Sequence, residues 1–115
     1  MTLRQKQSEF AWLVSELIKQ AYKLGYEVTL GEAYRSVEES NRLAALGKGI
    51  KNSLHTQRLA IDINLFKDGK YLTKTEDHQA LGEWWESKST DEYTCYWGGR
   101  FNDGNHYSIG HGGRK

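Results

Sequence analysis

The sequence predicts a small α+β domain, an antiparallel sheet with flanking helices, in a single unit spanning residues 1–115. Three observations carry that expectation. Segments of helical and of alternating periodicity are intermixed along the chain. Lys67-Asp68-Gly69-Lys70 is a hairpin turn signal after a segment that alternates from Leu59 to Phe66. No repeat, low-complexity tract or linker divides the 115 residues.

The elements follow in order. Thr2-Leu3-Arg4-Gln5 can form a capping box, after which Phe10, Leu13, Leu17, Ala21 and Leu24 keep helical spacing up to a stop at Gly25. Tyr26 to Tyr34 reads as a strand with Val28 and Leu30 on one face. Ser36-Val37-Glu38-Glu39 is a second capping box, opening a short helix through Leu43 and Leu46 to Gly47. A polar loop, Lys48 to Asn52, leads to a strand from Leu59 to Phe66. There Leu59, Ile61, Ile63 and Leu65 share one face, and Ala60, Asp62 and Asn64 share the other. Glu76 to Ser87 reads as a helix packing through Leu81, Trp84 and Trp85. Thr94 to Trp97 and His106 to Ile109 read as further strands around a Gly- and Asn-rich loop. Trp12, Trp84, Trp85 and Trp97 are expected to support a modest core.

Composition bounds the function. The formal charge is +1, with 16 basic and 15 acidic side chains, so nothing supports nucleic-acid binding. No apolar run reaches membrane-spanning length, and Met1 to Lys6 leads into a charged helix pattern rather than a secretory signal. Synthesis in the cytoplasm without a signal peptide, no membrane insertion and a monomer are expected. The lone cysteine, Cys95, excludes an internal disulfide and reads as a buried small apolar residue rather than a nucleophile.

Two segments carry the chemistry. Ser53 to Asp62 holds His55 and Asp62; Asp103-Gly104-Asn105-His106 holds a second carboxylate and imidazole. Catalytic zinc takes three protein ligands, commonly His and Asp/Glu, and keeps a fourth position for water. His55, Asp62 and His106 can supply those ligands, leaving Asp103 to move the water's proton. Each taken alone also reads more plainly: the histidines as surface residues, Asp62 as a turn cap and Asp103 as a turn residue. Asp62 is the least plain, because a carboxylate set between Leu59, Ile61, Ile63 and Leu65 is costly to bury unpaired. His78, in the acidic stretch Thr75-Glu76-Asp77-His78, reads as surface. His111 is a weak alternative ligand.

The ordered set resembles the zinc D-alanyl-D-alanine carboxypeptidases and the phage L-alanyl-D-glutamate endopeptidases grouped with them. It consists of Ser-x-His, six intervening residues, Asp, and far downstream Asp/Glu-x-x-His. Ser53, His55, Asp62, Asp103 and His106 match in order and spacing, and Gly31-Glu32-Ala33-Tyr34-Arg35-Ser36 resembles the family's strand-end Tyr-Arg-Ser segment. The likeness runs from about Leu17 to Gly110. It departs at Arg58, where the family often has Gly, and at Asp103, where carboxypeptidases often carry Glu and phage endopeptidases Asp.

The resemblance implies Zn²⁺ held by His55, Asp62 and His106, with Asp103 as general acid/base. Arg35 is the candidate for stabilising the oxyanion, set against an ion pair with Glu32 or Glu39. Ser53 would bind substrate or support its loop, and Tyr34, Trp97 and Arg100 could line a groove. The implied partner is the peptidoglycan stem peptide, cut at L-Ala–D-Glu by an endolysin of phage type that reaches the cell wall through holin pores. The alternatives are a D-Ala-D-Ala carboxypeptidase or dipeptidase and, from another class, a noncatalytic metal-containing wall-binding domain.

Overall fold

The computed structural model describes residues 1–50 and 52–115, so Lys51 of the expected polar loop lies outside the described residues. The chain opens with helix α1 (Leu3–Lys23), whose Thr2 and Gln5 make the reciprocal capping bonds expected of them. Its apolar stripe, Phe10, Leu13, Leu17 and Ala21, is buried. Trp12 falls off that stripe and is 61% exposed, so it does not support the core as expected.

Strand β1 (Glu27–Leu30) is shorter than the predicted Tyr26–Tyr34. Beyond Leu30 the backbone still meets the neighbouring strand, through Gly31 N–H to the Asp62 carbonyl and Asp62 N–H to the Glu32 carbonyl, both 2.8 Å. It then leaves the ladder, because Ala33 and Arg35 spend their backbone groups on His55. Helix α2 (Val37–Ala45) starts at Ser36, whose hydroxyl accepts from Glu39 N–H. The returning half of the expected box is missing, since the Glu39 carboxylate pairs with Arg42 instead.

Strand β2 (Ala60–Lys67) is the axis of the sheet. Leu59, Ile61, Ile63 and Leu65 are buried on its inner side, as their alternation predicts. A turn at Asp68-Gly69, with φ of 51° and 77°, returns the chain as β3 (Lys70–Leu72). A 3-10 turn, Thr75–His78, then runs into helix α3 (Gln79–Glu86), together covering the predicted helix. Strands β4 (Cys95–Trp97) and β5 (His106–Ile109) flank the Gly-rich loop.

The order is β1-β2-β5-β4, all antiparallel, with β3 on the same edge of β2 as β5. Helices α1 and α3 pack on one face, where Trp85 lies edge-on to both Phe10 and Tyr107. Trp85 is sealed there by a bond from its ring N–H to the Ser108 carbonyl. Trp97 is buried as well, donating to the Gly104 carbonyl at 2.7 Å. Cys95 is free and buried, as expected. The other face of β2 and β5 carries Asp62 and His106. None of the described helices is long and apolar enough to cross a membrane.

Candidate metal centre

Three local devices bring the site together. A 3-10 turn, Leu54–Gln57, folds His55 back toward the strand that follows it. Ser53 caps this turn, its buried hydroxyl accepting from His55 N–H at 3.2 Å. The turn is closed by Arg58 at φ 57°, ψ 36°. That left-handed conformation costs glycine nothing and other residues something. It accounts for the departure noted at this position: Arg58 accepts the backbone, and its guanidinium lies 4.1 Å above the Tyr34 ring. Asp62 and His106 come together by register, directly opposite one another on β2 and β5.

The third device is the loop between β4 and β5. Gly98 and Gly104 let it close tightly, Asp103 N–H donating to the Gly98 carbonyl at 2.8 Å. A Cβ on Gly98 would run into the Asp103 carbonyl and come within 2.7 Å of His106 Cβ. One on Gly104 would sit 2.6 Å from Thr75 Cα. These glycines position the site, and sequence reasoning took them only as loop composition.

His55, Asp62 and His106 present ligand atoms that all lie within 4.8 Å of one another. Asp62 Oδ1 is 3.5 Å from His55 Nε2 and 3.6 Å from His106 Nδ1. These separations are long for hydrogen bonds. They match the edge of a tetrahedron, about 3.4 Å, around a zinc ion with bonds of about 2.0–2.2 Å. His55 Nδ1 is 2.8 Å from the Ala33 carbonyl, which leaves Nε2 free to bind a metal. The donor set therefore fits zinc.

Electrostatics agree. Burial works against charge on Asp62, but the two imidazoles outweigh it and hold the carboxyl at about 2. Burial likewise opposes charge on His55, and the Asp62 carboxylate with the Ala33 carbonyl turns the balance upward. Asp103 behaves oppositely. Burial first, then repulsion from Asp62, push its carboxyl above the ordinary value.

The centre opens into a cavity of about 370 Å³ whose lining includes Arg35, Lys48, Ser53, Phe101, Asp103 and Lys115. Arg35 makes the ion pair with Glu32, its Nε donating at 2.8 Å, and also borders this cavity. Lys48, Gly49 and Ile50 of the polar loop, expected as a possible groove wall, line this cavity, whereas Tyr34, Trp97 and Arg100 do not. Tyr34 lies under Arg58, Trp97 is buried, and Arg100 pairs with Glu86 at 2.7 Å. Phe101 and Lys115 take that place unannounced by any motif.

The other two histidines stand apart. His111 lies beside Lys6, whose ammonium is 3.3 Å from its Nδ1. His78 corrects the expectation of a surface residue. It is 3% exposed and bonds through Nδ1 to the Tyr107 hydroxyl at 2.8 Å, because the 3-10 turn ahead of α3 aims it inward.

Asp62 and His106 on an antiparallel sheet, His55 brought to them by a 3-10 turn, and the Asp103 carboxylate beside them make a centre of metallopeptidase type. The profile of the family described as D-alanyl-D-alanine carboxypeptidase matches residues 47–109, which span the whole centre. The match covers more than half of the chain, which therefore belongs to this family of zinc metallopeptidases acting on peptidoglycan. No curated protein matches the chain.

Proposed function

We propose that this zinc peptidoglycan peptidase is an endopeptidase that cuts the stem peptide internally, between L-Ala and D-Glu, as a phage-type endolysin released through holin pores. One observation carries the internal cut. Asp103 borders two cavities at once: the one at the metal centre and a second, of about 260 Å³, lined also by Tyr71, Thr75, His78 and Asn105. A substrate that continues past the reacting bond in both directions has a second cavity to enter beside that carboxylate.

In this reading His55, Asp62 and His106 hold the zinc, which supplies Lewis acidity and lowers the pKa of a bound water. Asp103 takes the attacking water's proton and returns it to the leaving amine. Its raised pKa suits a group that must carry a proton between the two steps. Arg35, held by Glu32, faces the charge that develops on the carbonyl oxygen. Ser53 supports the His55 turn from within the cavity wall.

The family's description favours a second reading, a D-Ala-D-Ala carboxypeptidase, and Lys48 and Lys115 beside the centre would suit a terminal carboxylate. Digestion of defined muropeptides separates the two. New L-Ala carboxyl and D-Glu amino termini support the endopeptidase, and release of D-Ala alone replaces it with the carboxypeptidase. Sedimentation with cell walls without cleavage would instead support a noncatalytic wall-binding domain.

A further inference from the structure

The second cavity bordered by Asp103 is built unlike the one at the metal. Its walls are hydroxyl- and amide-bearing: Tyr71 and Thr73 at the end of the hairpin, Thr75 on the 3-10 turn, and Asn105 beside the metal ligand His106. Lys74 and Asp103 give it one charge of each sign, whereas the metal-side cavity has Arg35, Lys48 and Lys115 around the zinc ligands.

One buried group points to a ligand here. His78 is 3% exposed, lines this cavity, and uses Nδ1 on Tyr107. Its Nε2 has no partner among the described residues, yet it is not among their fully enclosed unpartnered atoms. That nitrogen therefore opens onto the cavity. Nδ1 is spent on the Tyr107 hydroxyl, 2.8 Å away, so Nε2 is the ring nitrogen left to meet a ligand. The cavity thus offers a ring nitrogen that donates to a carbonyl oxygen in one tautomer and accepts from an amide or hydroxyl in the other. At the mouth, Tyr71 is 54% exposed with its ring braced against Phe66, centroids 5.2 Å apart. A braced, exposed aromatic beside convergent polar groups matches a ligand with both C–H faces and hydroxyls.

Resting on the endopeptidase reading, we propose that this cavity is the subsite for the sugar end of the substrate, an N-acetylated amino sugar whose lactyl group carries the first alanine. The stem is chemically lopsided about the L-Ala–D-Glu bond: amides and hydroxyls lie on the amino side, carboxylates on the other. The two cavities are lopsided in the same sense. An amide of the sugar end reaches His78 Nε2, the sugar packs on Tyr71, and the acidic end lies toward Lys48 and Lys115.

The test titrates the zinc-loaded, isotope-labelled protein with N-acetylmuramoyl-L-alanine and, separately, with N-acetyl-L-alanine, followed by NMR. The sugar-bearing probe is expected to shift the amides of Thr73, Thr75 and Asn105, and the sugar-free probe to leave them in place. Tyr71→Ala, at an exposed site, should weaken binding of the sugar probe at least tenfold with the thermal midpoint unchanged. His78→Phe should do the same if it folds. Absence of those shifts at millimolar probe, or wild-type binding by Tyr71→Ala, overturns the subsite. Sugar binding at this cavity by a protein that cuts no muropeptide overturns the endopeptidase reading and leaves the subsite standing.

Discussion

His55 Nδ1 and the Ala33 carbonyl are joined at 2.8 Å across 22 positions of sequence. This bond ties the imidazole to the segment beyond β1, and Arg35 N–H donating to the His55 carbonyl at 3.1 Å ties it a second time. The ring is thereby fixed in the tautomer that leaves Nε2 for a metal. The purified protein should bind about one zinc per chain. His55→Ala, Asp62→Ala and His106→Ala should each lose most of it, and His111→Ala should keep it. Full retention by His106→Ala, measured by metal analysis after dialysis, would remove His106 from the ligand set.

Asp103 borders the centre without belonging to the ligand cluster. Asp103→Asn should retain zinc and the wild-type thermal midpoint, yet lose about 10²–10⁴-fold in peptidoglycan hydrolysis, because only proton transfer is removed. Cleavage at the wild-type rate would exclude Asp103 as the acid/base.

Gly98→Ala tests the loop that carries Asp103. The added methyl meets the Asp103 carbonyl and His106 Cβ, neither of which is the end of a flexible chain. Overpacking of this kind costs about 1–3 kcal/mol. Turnover should fall by more than the stability loss explains, since a displacement of about 1 Å can cost a catalytic group about 100-fold. A folded variant with unchanged turnover would show that the loop does not set the geometry.

Stability should depend on acid through His78. Burial holds its imidazole down at about 4, with Asp77 opposing weakly. The unfolded chain protonates near pH 6.5, so it takes up the proton first as pH falls. The contribution is complete above about pH 6.5 and is lost toward pH 4, on the order of 3 kcal/mol in full. Denaturant midpoints of the wild type should fall across that window more steeply than those of His78→Gln. Parallel curves would mean that His78 titrates normally in the fold.

Much of this was legible in the sequence, and the exceptions have physical causes. Periodicity located α1 and β2, since each buries a single stripe or face. The order of Ser53, His55, Asp62, Asp103 and His106 announced the centre because metal ligation restricts residue type. Tyr26–Tyr34 misled because no turn residue but Gly31 interrupts it, while the carbonyl of Ala33 and the N–H of Arg35 go to His55 rather than to a strand. His78 misled because its acidic neighbours are solvated, and Tyr107, its partner, lies 29 residues away. Trp12 shows that an aromatic side chain one step off a helical stripe need not join the core. Phe101 carries no motif; only the folded chain brings it to the centre.

Asp62 and His106 share one rung of the β2–β5 ladder. The pocket for the ion is thus also a gauge of strand alignment. A slip of one residue would turn one of the two ligands to the opposite face of the sheet. With Asp62 and His106 as zinc ligands, as proposed, a chain would have to pair these strands correctly to load the ion, and loading would rivet the ladder shut, slowing amide exchange along Ala60–Asp62 and His106–Ser108. Maturation of the fold and acquisition of the cofactor would then be a single checkpoint, and a misaligned chain would be barred from both.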